Sequence, residues 1–302
     1  MTNDTKSPDT TIFQLGGDLP VRRVGYGTMR LADAPGDPTG PEAPIWTAPA
    51  DRAAAVALLR TAAEAGVTLF DTADAYALGA GEELLAEALA PYRDEIAVAT
   101  KVGVVRPSPT EWVPLGHPAY LRQQAELSLR RLRTDRIDLL YLHRLDENVP
   151  VAEQIGALKR LQEEGKVRHI GLSEVTVAQL TEAEAVAPIA AVQNLYNLAS
   201  REHEAVVEHT AGRGIAFVPF FPVAMGGHAG PDGPVARVAR EVGATPSQTA
   251  LAWLLHRSPH ILPIPGTSSA AHLVENLGAL DVTLTEEQFA RLGEEVGAGS
   301  GS

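Results

Sequence analysis

The chain contains no cysteine. Disulfides, thiolate nucleophiles and zinc–thiolate sites are thereby excluded, and a reducing cytoplasm is the expected setting. No apolar run approaches the ~20 residues that a membrane-spanning helix needs. Met1–Asp9 is polar and holds no apolar stretch, so no secretory signal is expected there. Positive charge is in short supply: 25 Lys and Arg face 38 Asp and Glu, for a formal net charge of −13. That balance argues against nucleic acid and anionic membrane as partners, and an anionic cofactor would need a local site of opposite field. Several motifs are missing as well. Gly25-Tyr26-Gly27 is followed by Arg30 rather than glycine, so it is no dinucleotide fingerprint. There is no Walker loop, no Gly-x-Ser-x-Gly elbow and no solenoid repeat. His256 and His260 stand four apart, but Pro259 between them opposes a helical metal site, and no metal is expected.

What is present is a large apolar fraction, 45% of 302 residues, enough for one sizeable core. Short apolar runs alternate with amphipathic segments from end to end. Val21–Met29, Thr68–Thr72, Ile96–Lys101, Ile137–His143, His169–Ser173, Ala191–Asn194, Ala216–Phe220 and Ile261–Pro265 read as strands. Leu121, Ala125, Leu129 and Leu132 repeat at helical spacing, as do Val151, Ile155 and Leu158. Gly66, Gly165 and Gly214 fall where helix C-terminal caps are expected. Eight alternations predict a parallel sheet closed into a single-domain (β/α)8 TIM barrel over residues 11–296, with a doubly wound open sheet as the competing arrangement. Gly16-Gly17-Asp18 between apolar residues predicts an N-terminal β-hairpin that plugs the lower end of the barrel. Residues 1–10 and 297–302 are expected to be disordered ends. Long loops are expected over Ala32–Pro49, Gly103–Pro118 and Phe221–Pro234.

Functional side chains of such a barrel gather where its strands end. The second strand ends in Asp71 and leads to Tyr76, the third ends in Lys101 and the fourth in His143. Each alone has an ordinary explanation: a helix cap for the acid, a solvated ammonium, a packed phenol, a satisfied imidazole. Together on neighbouring strand ends they make a set capable of carbonyl chemistry. An ammonium beside a phenol favours phenolate and lowers its pKa, making it a usable acid and base. The acid pairs with the ammonium, and the imidazole can donate to a substrate oxygen.

In these settings Asp71, Tyr76, Lys101 and His143 resemble the catalytic tetrad of the aldo-keto reductases. Further segments carry the same resemblance. Gly27, Thr28 and Met29 are similar to the family's first strand, and Ser173 with Glu174 to its fifth, where Asn is usual in place of Glu174. Gln193 matches a residue that bonds the nicotinamide amide. Phe220, Phe221 and Pro222 resemble the segment whose aromatic stacks on the nicotinamide ring, with Phe220 in place of the commoner Tyr. Gly266, Thr267, Ser268, His272, Glu275 and Asn276 resemble the adenosine-phosphate site, with Gly266 and His272 where Lys and Arg are frequent. The resemblance implies reduction of an aldehyde or ketone with NADP(H) preferred and NAD(H) possible. Trp46, Trp112 and Met29 are expected to line the substrate pocket.

Two other readings stay open at this level. One is a cofactor-sensing or partner-binding protein on the same barrel. The other is an aldolase with Lys101 as Schiff-base lysine, which leaves the cofactor-like segments unexplained.

Overall fold

The computed structural model describes residues 10–33, 43–224 and 230–297. The chain starts with an antiparallel hairpin, β1 (Ile12–Leu15) and β2 (Leu19–Arg22). Gly16 and Gly17 turn it, at φ of +62° and +87°, which only glycine adopts without cost. A side chain at Gly16 would also collide with the ring of His169. Asp18 locks the turn onto the barrel through Arg168 and His169, at 3.0 and 2.7 Å. Leu15 and Val21 are fully buried in one cluster with Leu69, Ala97, Leu139, Ala216 and Leu262. The hairpin therefore caps the barrel interior at the end where the strands begin, as its sequence predicts.

Seven strands form one parallel sheet: β3 (Tyr26–Gly27), β4 (Leu69–Asp71), β5 (Ala97–Val102), β8 (Ile137–Leu142), β9 (Val167–Ser173), β10 (Ile189–Gln193) and β11 (Ala216–Phe217). A second hairpin, β6 (Val104–Val105) with β7 (Val113–Pro114), stands on the rim after β5. The expected long loop over Gly103–Pro118 is thus partly ordered as strand. The eighth strand position, Ile261–Pro265, forms no regular ladder, because Pro263 and Pro265 have no N–H to donate. It closes the barrel with single bonds instead: Leu262 N–H to Phe217 O on one side, and Gly25 N–H to Pro263 O on the other. The first expected strand, Val21–Met29, is also divided. Its start belongs to the hairpin, Tyr26–Gly27 to the barrel, and Thr28–Leu31 to a 3₁₀ turn. The barrel strand of the seventh unit is short for a similar reason, since Pro219 follows it.

Alternate strand residues serve the two layers. Leu69 and Leu139 face inward, whereas Phe70, Val98, Leu140, Ile170 and Val192 pack outward. The outward set meets α1 (Arg52–Glu64), α2 (Ala80–Leu89), α3 (Pro118–Leu132), α4 (Val151–Glu163), α5 (Val177–Glu184) and α6 (Glu204–Ala211). In α3 the buried stripe is Leu121, Ala125, Leu129 and Leu132. Two helices, α7 (Pro234–Val242) and α8 (Pro246–Arg257), follow β11. The last unit gives α9 (Ala270–Leu277), and α10 (Glu286–Gly297) lies across the outside. Gly66, Gly165 and Gly214 take positive φ where helices end, as expected. The expected disorder of the two ends lies outside the described residues, apart from Thr10 and Gly297.

Candidate active site

Asp71 is the last residue of β4, and Lys101 lies in β5 one strand over. Both side chains are buried, and the ammonium donates to Asp71 Oδ1 at 2.5 Å and to the carbonyl of Thr72 at 2.8 Å. Gln193, at the end of β10 across the barrel, donates to Asp71 Oδ2 at 2.8 Å. Both carboxylate oxygens are therefore engaged, and Asp71 cannot swing. A charge so buried persists because it is paired and hydrogen-bonded. Its carboxylate raises the Lys101 pKa against the effect of burial.

Tyr76 sits over this pair, with Lys101 Nζ 5.1 Å from its ring centroid. The two residues after it, Ala77 and Leu78, take φ of 49° and 52°, a strained turn for residues with a Cβ. Ala77 N–H donates to Ile45 O at 3.0 Å, which helps to hold that turn. Burial raises the phenol pKa, and the attraction of Lys101 offsets only part of it. This corrects the sequence expectation of a lowered value: the site lies deep enough for desolvation to win. His143 follows β8, its ring centroid 6.1 Å from that of Tyr76. Burial, with Lys101 and Arg144 adding to it, pushes the imidazole well below its usual range, so it is neutral at pH 7. Its buried Nδ1 has no hydrogen-bond partner among the described residues.

Tyr76, His143 and Gln193 border a cavity of about 370 Å³, lined also by Met29, Trp112, Arg144, Ser173 and the two phenylalanines Phe220 and Phe221. Trp112 closes on Tyr76 and His143 edge to face, at 6.4 and 5.9 Å. Of the expected pocket residues, Met29 and Trp112 do line it. Trp46 does not: it lies behind, 5.6 Å from the guanidinium of Arg106. Sequence reasoning missed Arg106. It stacks on the Trp112 ring at 3.6 Å and donates to the carbonyls of Pro44, Pro109 and Glu111 at 2.7, 2.7 and 2.9 Å. Longer contacts of 3.5 Å reach Ile45 and Ala75. One side chain thus ties three segments of the pocket mouth together.

A second cavity of about 270 Å³ adjoins the first, sharing Met29, Tyr76, Gln193, Phe220 and Phe221. Gly27, Arg30, Asp71, Pro222, Ile264 and Gly266 complete much of its wall. A Cβ on Gly266 would lie 2.7 Å from the Gly27 carbonyl, so glycine lets the first and last barrel segments meet there. Thr28 is buried and donates to Asp71 O at 3.0 Å, fixing the wall behind Met29. Ser173 Oγ accepts from Arg144 at 3.0 Å.

Beyond this cavity lies the start of α9, where the expected adenosine-phosphate residues are less uniform than their sequence implies. Ser268 and His272 are exposed. Thr267 Oγ1 accepts from Ser269 N–H, and Ser269 caps the helix. Glu275 joins α9 to α8: its carboxylate accepts from the Thr245 hydroxyl at 2.6 Å, and its carbonyl from Gln248. Asn276 is buried. Glu174, at φ 55°, turns its carboxylate to Leu195 N–H at 2.6 Å and lines neither cavity.

The chain and its barrel find close parallels among known proteins. The model of the aldo/keto reductase family matches residues 23–295. The chain belongs to that family. An uncharacterized oxidoreductase of Schizosaccharomyces pombe is 45% identical over 92% of this chain and 88% of its own. Pyridoxine 4-dehydrogenase of Escherichia coli is 42% identical over 91% of this chain and 95% of its own. An aldo/keto reductase of Klebsiella pneumoniae, solved with NADP and acetate, superimposes with a TM-score of 0.80 at 28% identity, over 94% of each chain. As an aldo/keto reductase, the chain is an NAD(P)H-dependent oxidoreductase that reduces an aldehyde or ketone carbonyl to the alcohol. No helix among the described residues is long and apolar enough to cross a membrane.

Proposed function

We propose that this aldo/keto reductase works mainly in the direction of carbonyl reduction, prefers NADP(H), and takes its proton from Tyr76. The observation that carries this reading is the buried phenol set above a fully engaged Asp71–Lys101 pair, its pKa raised so that the proton is present at neutral pH. Nicotinamide supplies the hydride when bound. Lys101 attracts charge on Tyr76 as the proton leaves, and Asp71 with Gln193 keeps the ammonium in place. His143, being neutral, orients the carbonyl oxygen with an N–H and does not compete as an acid. The shared wall of the two cavities fits a nicotinamide. Phe220 and Phe221 offer ring faces. Ser173, already accepting from Arg144, keeps its hydroxyl hydrogen for a carboxamide oxygen. Gln193, donating to Asp71, keeps Oε1 to accept from the carboxamide NH₂.

The first cavity is walled by aromatic and imidazole rings, which suits flat carbonyl compounds. Aromatic aldehydes, pyridoxal-like ones among them, are the proposed range, in keeping with the E. coli relative's name. For the phosphate, Arg30 lines the second cavity, and the Thr267–His272 segment presents hydroxyls and an imidazole. Oxidation of NADPH and of NADH at 340 nm over a panel of aromatic and aliphatic aldehydes tests the whole reading. Turnover of aromatic aldehydes with NADPH is expected, and failure on every aldehyde together with failure to bind NADPH would refute it.

A further inference from the structure

Three cations approach the first cavity, and two of them are committed. Lys101 is held by Asp71 and the Thr72 carbonyl. Arg106 gives its N–H groups to backbone carbonyls and its face to Trp112. Arg144 differs. It lines the cavity directly after His143, yet only its Nη1 is engaged, with the His143 carbonyl at 2.6 Å and Ser173 Oγ at 3.0 Å. Both acceptors are neutral. Among the described residues no carboxylate lies within ion-pair distance of it, and neither Nε nor Nη2 makes a hydrogen bond. Glu174, an acid whose charge reaches it, spends its carboxylate on Leu195 N–H and approaches His203 at 3.9 Å. A half-buried guanidinium with open donors and no counter-ion, in a chain of net charge −13, is poorly explained by packing alone.

We propose that Arg144 selects the substrate: the preferred carbonyl compound carries a second, anionic oxygen group, which this guanidinium receives while Tyr76 and His143 hold the carbonyl. The anchored Nη1 fixes the plane of the fork, so the remaining N–H groups are pre-aimed and little side-chain entropy is lost on binding. The anion is best carried on a rigid ring, since the walls between Arg144 and Tyr76 are aromatic. The inference rests on the carbonyl-reductase reading and narrows it to anionic aldehydes and ketones.

A matched pair of aldehydes tests it: 4-carboxybenzaldehyde against methyl 4-formylbenzoate, with 3-carboxybenzaldehyde to vary the position of the charge. A charge-assisted hydrogen bond is strong enough to give the better-placed acid an advantage of about 10- to 100-fold in kcat/KM over its ester. Arg144→Met should bring that ratio close to one, and Arg144→Lys should retain part of it. A variant that folds but does not turn over is titrated directly with the acid and the ester, and the same loss of discrimination is expected in binding. A wild-type enzyme that reduces the ester as well as either acid overturns the proposal and leaves the carbonyl-reductase reading standing. Discrimination unchanged in Arg144→Met overturns it as well. If neither aldehyde is reduced and NADPH does not bind, the underlying reading has failed instead.

Discussion

The pair beneath Tyr76 and the start of α9 are both strand-to-helix junctions on the same rim, yet they are built on opposite principles. At the first, buried side chains from three separate strands close on one another, and Asp71 has both oxygens taken. At the second, the polar groups of the turn serve their own neighbourhood: Ser269 and Thr267 accept from local amides. Long-range buried bonds give a geometry that cannot relax, which is what a proton-transfer site needs. Local, exposed bonds give an adaptable surface, which a phosphate can share with water. Substitutions in the first region should therefore be nearly all-or-none, and those in the second graded.

The largest expected effect is at Tyr76. Tyr76→Phe removes the proton and nothing else of that size, and should lower kcat for reduction by about 10²- to 10⁴-fold, with NADPH still bound as judged by fluorescence quenching. Turnover within a few-fold of wild type would show that another group supplies the proton.

Lys101 comes next, and the comparison makes its test sharper. Lys101→Met leaves Asp71 buried without its counter-ion, so lost stability and lost activity would coincide. In the Lys101→Met/Asp71→Asn double variant both charges are gone, and the denaturation midpoint should recover much of the way. Activity should stay down by about 100-fold, because the field that favours phenolate is absent. The pH profile gives the sign. Burial already raises the Tyr76 pKa, and Lys101 pulls it down. Removing Lys101 must raise it further, and removing Asp71 with it takes back only part of that rise because its own upward push is the smaller, so the rise of alcohol oxidation with pH, which needs phenolate, should move to more alkaline pH. A double variant with an unmoved profile would make Lys101 a structural charge only.

A smaller, partly separable effect is expected at the mouth. Arg106→Met deletes the bonds that join the Pro44–Ile45, Ala75 and Pro109–Glu111 segments and the cation under Trp112. KM for an aromatic aldehyde should rise about 10-fold while kcat falls less, since the Asp71–Lys101 pair is untouched. Equal losses in both would place Arg106 in the chemistry itself.

The difference between the regions also decided what could be read from the sequence. Asp71, Lys101 and His143 were legible because strand ends project their side chains to one rim, a property of the barrel that survives ignorance of the loops. Arg106 and Arg144 were not. Arg106 acts through carbonyls at positions 44, 75 and 109, and nothing local marks those as neighbours. The one signal was a charged residue in a Pro-rich stretch next to Trp112. The motifs place Glu174 and Glu275 at the cofactor but do not announce their partners within the chain, Leu195 and Thr245, which lie 21 and 30 residues away. The raised pKa of Tyr76 was missed because charge proximity is visible in sequence and depth of burial is not. The eighth strand was placed correctly, but Pro263 and Pro265 withdrew the ladder that would have made it regular.

The smallest effect concerns the cofactor. The start of α9 carries no lysine or arginine, and its donors are Thr267, Ser268 and an exposed His272, with Arg30 across the second cavity. Exposed contacts of this kind are each worth little against water, so the preference for NADPH over NADH should be modest, on the order of 10-fold. His272→Arg places a permanent, forked cation one turn into the helix, at an exposed position where folding does not desolvate it. It should widen the preference several-fold, chiefly through tighter NADPH binding, and leave kcat with either cofactor almost unchanged, because the Tyr76 region is untouched. Titration of both reduced cofactors against wild type and variant measures this directly. The effect should also weaken with added salt, as an exposed charge contact must. If the variant binds NADPH and NADH in the wild-type ratio at low salt, the 2′-phosphate lies away from α9, and Arg30 becomes the residue to replace.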